Sequence, residues 1–485
     1  MGKQGYTRRH MLGFAASAAT MLMAGCGPSL DAGPVAKRRE APLGLMPPLF
    51  DDLQKRTFDY FWETANPKNG LVPDRWPNVT FSSIAAVAFA LTAYPIGVWR
   101  GYITREQARE RTLTTLRFFA EAPQGDAPTG MTGHHGLFYR YLDMETGTRS
   151  GNVEVSTVDT ALLLSGMLFA QAWFDGTEEG EVEIRALVDR IYARMDWRWF
   201  QPRPPVIVLG WTPEAGHLPY DWRGYNEAMA VYLLALASPT FPVEPESWQA
   251  WTQGNLNAWG AYHDIEHVGF APLFGHQYTH VWFDFRGIQD EFMRARSLDY
   301  FENSRRATLA QRAYAIANPD QWQDYGADCW GLTACDGPGK MTIADRAGRV
   351  RTFHDYIARG AGRVDTIDDG TIAPTAAISS LPFAPEVVIP AVQAMHDKYG
   401  SVIYQKYGFV DAFNRSFTAT GATLTHGKVV PGFGWVDNDY IGIDQGPILA
   451  MVENHRSDLV WATMRKHPAV KLGLQRAGFS GGWLG

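Results

Sequence analysis

From Phe50 onward, apolar residues recur mainly at spacings of three and four, and regular alternation is scarce, so the pattern predicts helices. The helical segments are of two kinds. Asp51–Glu63, Arg105–Ala120, Glu179–Arg194 and Gln289–Ala317 are charged and amphipathic, the last stopped by Asn318-Pro319. Ser83–Trp99, Thr157–Phe174, Glu227–Ala237 and Pro447–Glu453 are apolar on nearly every face. A helix apolar all round must be buried, whereas an amphipathic one covers it from outside. Because the two kinds alternate along the chain, the expected fold class is all-α, a toroid of inner and outer helices with about twelve in all. Further helices are expected around Gln277–Arg286, Pro374–Ser380, Ala384–Lys398 and Asn454–Lys466, without a clear pairing.

Inner helices that alternate with antiparallel outer ones all run the same way, so their N-terminal ends open on one face. The loops leading into them, Pro123–Val155, Phe200–Asn226 and Gly421–Gly446, are the longest in the sequence and are predicted to share a single mouth. Long loops in a compact domain are usually functional.

Acids stand at the starts of three inner helices. Glu154 lies two residues outside the capping-box-like Ser156-x-x-Asp159, where its carboxylate can face the mouth, while Asp159 itself has a ready explanation as a cap. Glu227 follows Tyr225-Asn226, and its alternative role is a favourable acid in a first helical turn. Asp444 sits in Gly442-Ile443-Asp444-Gln445-Gly446-Pro447, with an N-cap as its alternative. Rings crowd the same loops: His134, His135, Phe138, Tyr139 and Tyr141 before Asp143; Trp211, His217, Tyr220 and Trp222 before Glu227; Phe433, Trp435 and Tyr440 before Asp444. The chain carries 17 Trp, 20 Tyr and 26 Phe, enough for a ring-lined groove or for an aromatic-rich helical core. Uncharged rings beside a few carboxylates suit a neutral polyhydroxylated ligand, which points to sugar. Cleaving a glycosidic bond takes one protonated carboxyl to protect the departing oxygen and one ionised carboxylate to activate water or attack carbon.

Composition narrows the alternatives. The 485 residues hold 44 Lys+Arg against 51 Asp+Glu, and losing the three cations of residues 1–25 takes the net charge from −7 to −10, so no nucleic-acid partner is expected. No phosphate loop, Gly-x-Ser-x-Gly elbow or His-Glu-x-x-His helix occurs. Asp365–Gly370 lacks the distal glutamate of a calcium loop and reads as an Asp/Gly turn; His134-His135 reads as groove histidines; neither a metal nor a cofactor is expected.

The N-terminus reads as an address. Thr7-Arg8-Arg9-His10-Met11-Leu12 resembles a twin-arginine export signal, and Met23-Ala24-Gly25-Cys26 resembles a lipobox in which Cys26 is lipidated. Residues 26–48 are a Pro/Gly/Ala-rich tether, and 49–485 are the folded body, so a periplasmic, membrane-anchored monomer is expected. An oxidising compartment permits Cys329 and Cys335 to form a disulfide, the alternative being two buried free thiols.

Four segments, Phe138–Asp143, Glu154–Thr160, Gly224–Met229 and Asp444–Pro447, taken in order resemble the glucoamylase-like domain of glycoside hydrolase family 144, over roughly Leu53 to Lys466. The resemblance implies an (α/α)6 barrel acting on β-1,2-linked glucan with inversion at the anomeric carbon, either endo or with release of sophorose. It implies acidic cleft residues at Asp143, Glu154, Glu227 and Asp444; the residues' own placement at the helix starts is read as Glu154 or Glu227 for the general acid and Asp444 for the water side. Substrate contacts are expected from His135, Tyr139, Asp159, Trp222, Arg223, Tyr225, Trp282, Trp435 and Tyr440. Asp324–Arg351, which holds both cysteines, departs from the family pattern and is expected to reshape one end of the cleft. Two rivals remain: a transglycosylase or hydrolase of another β-glucan on the same scaffold, and a sugar-binding lipoprotein without catalysis.

Overall fold

The computed structural model describes residues 46–485; the expected export signal, the expected lipidation site Cys26 and most of the expected tether lie outside that range. Six outer helical segments alternate with six inner ones, giving an (α/α)6 barrel. The outer set is Pro48–Thr64, Arg105–Glu121, Glu179–Ala193, Glu246–Thr252, Tyr300–Ala317 and Pro385–Ile403. Each leads into an inner member: Ile84–Trp99, Thr157–Trp173, Met229–Leu236, the 3₁₀ turns Leu273–His276 and Thr279–Val281, Pro374–Ile378 and Gly442–Ser457. Ile84–Trp99 packs on both Thr157–Trp173 and Gly442–Ser457, Thr157–Trp173 on Met229–Leu236, and Pro374–Ile378 on Gly442–Ser457. The 3₁₀ segment is tied into the ring at two points, where Gln277 Nε2 donates to Ala376 O (2.7 Å) and Asn454 Nδ2 donates to Val281 O (3.0 Å).

The inner helices exist because their residues leave no polar face to solvent: Ile84–Gly97 and Thr157–Gln171 are buried almost without a break. Close approach is needed between these two, and Gly166 supplies it, since a Cβ there would lie 2.3 Å from Ala88 O. Outer helices start on local signals. Thr104 and Gln107 form a reciprocal capping box at the start of Arg105–Glu121. The segment predicted as one helix, Gln289–Ala317, is two, Glu291–Arg294 and Tyr300–Ala317. Ser297 takes a left-handed conformation and Asp299 caps the second helix through Glu302 N, so a new helix start interrupts the apolar period.

Short strands stitch the rim from which the inner helices begin. Ser82–Ser83, Val155–Ser156, Thr371–Ile372 and Tyr440–Ile441 each precede an inner helix and pair antiparallel with Tyr141–Leu142, Gly210–Thr212, Phe413–Asn414 and Arg75–Trp76 respectively. The predicted common mouth is thus a strand-braced rim. Asp324–Arg351 folds onto it, with Thr425 N donating to Pro338 O (2.8 Å). Cys329 and Cys335 are buried free thiols, correcting the expected disulfide; burial leaves Cys335 beside the Arg359 guanidinium, whose Nη1 lies 3.5 Å from its Sγ. Among the described residues no helix is long and apolar enough to cross a membrane.

Candidate active site on the strand-braced rim

Asp444 is set by a proline. Pro447 has no N–H to give to the Ile443 carbonyl one turn back. Tyr278 fills the gap: its Oη lies 3.0 Å from Ile443 O and 3.3 Å from Asp444 Oδ1. Thr375 Oγ1 donates to the Asp444 carbonyl at 2.8 Å, so the acid is held from two neighbouring inner segments, in the first turn of Gly442–Ser457, where helical N–H groups favour negative charge. The residue after Tyr278 holds the backbone of the second acid, because Thr279 Oγ1 donates to the Glu227 backbone carbonyl at 3.2 Å. Glu227, through its main chain, and Asp444, through its carboxylate, are thus both tied to Tyr278-Thr279, and both are buried. Glu154 stands one residue before its rim strand, with Arg140 Nε 3.4 Å from Oε2 and Arg140 N donating to its carbonyl. Arg140 in turn lies over the Tyr141 ring at 4.7 Å, and Tyr141 stacks on Phe81 at 4.1 Å.

Beside Asp444 lies a group that the sequence reading missed. Asp336, Asp411, Asp437 and Asp439 converge with Arg75, His426 and Asp355. Arg75 Nη1 donates to Asp336 Oδ2 at 2.7 Å and to Asp439 Oδ2 at 3.3 Å, and lies 3.2 Å from His426 Nδ1. Burial, then the charges of Asp444, Asp336 and Asp437, push the Asp411 carboxyl well above the ordinary range. Burial and then Asp336 do the same to Asp437. These acids come from three loops, Asp437 and Asp439 sharing one, and begin no helix, so no periodicity marks them; strand pairings, among them Arg75–Trp76 with Tyr440–Ile441 and Phe413–Asn414 with Gly434–Val436, bring them together.

The other expected residues divide. Asp143 is a turn acceptor: its Oδ1 takes hydrogen bonds from Thr146 N (2.8 Å), Glu145 N and Thr146 Oγ1, which hold its carboxyl below the usual range, so it is corrected from a cleft acid to an exposed loop brace. Asp159 is the cap partner of Ser156, as its spacing allowed. Four rings expected to touch substrate are wall and core instead, because packing and indole or phenol hydrogen bonds occupy them. Trp282 donates to Thr92 Oγ1 and stacks on Phe89, Trp222 donates to Thr157 Oγ1, Trp435 donates to His426 O, and Tyr225 stacks on Tyr300. Tyr139 is fully buried under Arg149, and Tyr440 packs edge-on to Tyr407. His135 and Arg223 reach solvent. His135 stacks on Trp199 at 4.1 Å and His134 on Trp211 at 4.1 Å, with His217 against Trp199, so the histidine pair belongs to a ladder of rings beside Glu154. Trp199 was not singled out from the sequence, although it immediately precedes the loop Phe200–Asn226 that carries Trp211 and His217.

A helical toroid that collects carboxylates and rings on the rim where its inner helices start is the architecture of glucoamylase-like, carbohydrate-active proteins. A family model described as "Glycoamylase: Putative glucoamylase" matches residues 219–468, just over half of the chain. A "putative glucoamylase" of Bacteroides uniformis is 31% identical and superposes with a TM-score of 0.76, covering 90% of this chain and 98% of that one. An endo-β-1,2-glucanase from Chitinophaga pinensis, solved as a sophorotriose and glucose complex, is 28% identical with a TM-score of 0.75, covering 90% and 99%. The exo β-1,2-glucooligosaccharide sophorohydrolase (non-reducing end) of Parabacteroides distasonis is 27% identical over 464 residues, 88% of this chain, and the chain spans 57% of its length. The chain belongs to the glucoamylase-like family, of the glycoside hydrolase family 144 type.

Proposed function

We propose that the chain hydrolyses β-1,2-linked glucan or its oligosaccharides by an inverting two-carboxylate mechanism. The observation that supports this reading is that Glu227 and Asp444, from the starts of different inner helices, are both tied to Tyr278-Thr279, Asp444 through its carboxylate and Glu227 through its backbone carbonyl, on a rim walled by stacked rings. Glu227, or Glu154 beside Arg140, protonates the departing glycosidic oxygen so that it does not leave as an alkoxide. Asp444, anchored by Tyr278 and Thr375, is the carboxylate that draws the proton from water as it attacks the anomeric carbon from the opposite face. Relatives named as a β-1,2-glucanase and a sophorohydrolase support the linkage. The retained carboxylates favour catalysis over a binding lipoprotein. We further propose export by the twin-arginine route and tethering through lipidated Cys26, on the strength of the N-terminal residues alone.

The test is incubation with a panel of β-linked glucans and chromatography of the products, with Glu227→Gln and Asp444→Asn alongside. The expected result is oligosaccharide release from the β-1,2-linked polymer, about 10²–10⁴-fold lower kcat in each variant, and calorimetric binding retained. Wild-type turnover in both variants would remove the site assignment, and tight binding without product from the native chain would remove the hydrolase reading.

A further inference from the structure

We propose that Asp336, Asp411 and Asp437 form a binding site for a divalent cation of the hard, oxygen-preferring class, Ca²⁺ or Mg²⁺, near the acid at Asp444. One carboxylate oxygen from each of the three lies within 4.8 Å of the other two. Oxygens bound to one Ca²⁺ sit about 2.3–2.6 Å from it and so are separated by at most about 5 Å, a spacing these three satisfy.

The way each carboxylate is held carries the argument further. Every one has an oxygen anchored by a donor: Asp336 Oδ2 by Arg75 Nη1 (2.7 Å), Asp411 Oδ2 by Asp336 N (2.8 Å), and Asp437 Oδ1 by Asn438 N (2.8 Å) and Asp439 N (3.2 Å). Every one also has a second oxygen sealed from solvent. Among the described residues no hydrogen-bond donor reaches Asp336 Oδ1, Asp411 Oδ1 or Asp437 Oδ2. The three residues are themselves 0%, 2% and 1% exposed. An unpaired buried carboxylate is costly, so three together in the rim loops are neutralised either by protons or by a cation held among them.

The side chains nearby do not supply it. Arg75 is committed to Asp336 and Asp439, and Arg359 is matched by Asp369 at 2.7 and 2.8 Å. His426 Nε2 stands 3.5 Å from Asp336 Oδ1 but closer, 3.2 Å, to Asp355. Asp74, Asp439 and Asp444 add negative charge around the group. The alternative trio of Asp336, His426 and Asp439 is less suited, because the Arg75 guanidinium already bridges it. An all-carboxylate donor set selects a hard cation over zinc. Such an ion joins three separate loops to one another, within reach of the Asp444 charge that acts on Asp411. This inference does not depend on the hydrolase reading, since its test contains no glucan.

The full chain is stripped with EDTA, dialysed and titrated calorimetrically with CaCl2 and, separately, MgCl2, with thermal melts at each concentration. The expected result is one ion bound per chain, a Tm that climbs with cation concentration, and at least tenfold weaker binding in Asp437→Asn and Asp411→Asn. Should the native chain, folded by circular dichroism, bind neither ion at millimolar concentration and melt unchanged, the site is overturned and the carboxyls are neutralised by protons. A folded Asp437→Asn that binds as tightly as the native chain overturns it equally. If both variants fail to fold, the native titration decides by itself.

Discussion

Gly446→Ala is the sharpest perturbation of the link between packing and the site. Gly446 lies two residues after Asp444, and its missing side chain lets Gly442–Ser457 rest against the Phe89 ring. A Cβ there would lie 1.9, 2.3 and 2.4 Å from three ring carbons, where ordinary contact is about 3.5–4.0 Å. Something must therefore move by roughly 1.5 Å. Phe89 has little freedom, being 1% exposed, stacked on Trp282 at 5.1 Å and edge-on to Tyr278 at 6.1 Å. The strain falls on the helix carrying Asp444 and on the tyrosine that orients it. Overpacking costs about 1–3 kcal/mol, and this rigid site belongs at the upper end, about 3 kcal/mol. A displacement near 1 Å at a catalytic group costs about 10²-fold in rate, so under the proposed hydrolysis kcat on β-1,2-glucan falls by that order. Urea denaturation and initial-rate assays measure the two effects. Gly421→Ala, where an added Cβ meets nothing within 4 Å, is the control and stays within about 0.5 kcal/mol. A Gly446→Ala chain as stable and as active as the control would refute the reasoning.

Two further outcomes follow from buried charge. Arg359→Met strands Asp369, both groups being fully buried in the native pair, and lowers stability by about 3–5 kcal/mol; adding Asp369→Asn restores at least half of the loss, as read from denaturant midpoints. Asp368 is pushed up to about 6, chiefly by burial. It keeps its proton longer folded than unfolded, so its contribution is full below about pH 4 and is lost as pH rises to about 6, up to about 3 kcal/mol. Asp368→Asn flattens stability across that window, and an unchanged slope in the variant would contradict the assignment.

The helical layers were legible because burial imposes itself on composition: Ile84–Trp99 and Thr157–Trp173 have no polar stripe and could only be inner helices. Their starts were legible through Ser156 and Asp159, whose cap spacing is a local event. The inner ring's 3₁₀ member was harder to read, since Leu273–Val281 is too short for a period to show. Rings misled for a related reason. A tryptophan is equally apolar in a groove or in a core, and only the neighbours Thr92 and Phe89 decide that Trp282 is core.

What the sequence determined alone was therefore local and periodic: which segments bury, where helices begin, and that Glu154, Glu227 and Asp444 stand at such beginnings. What only the tertiary structure decided was proximity between residues far apart in the chain. Arg75, Asp336, Asp411, Asp437 and Asp439 meet because rim strands pair across the ring, and Cys329 and Cys335 stay apart although six positions separate them. The physical reason is that helix capping and amphipathicity are written within a few neighbouring residues, whereas the charge a carboxylate meets depends on every segment folded against it.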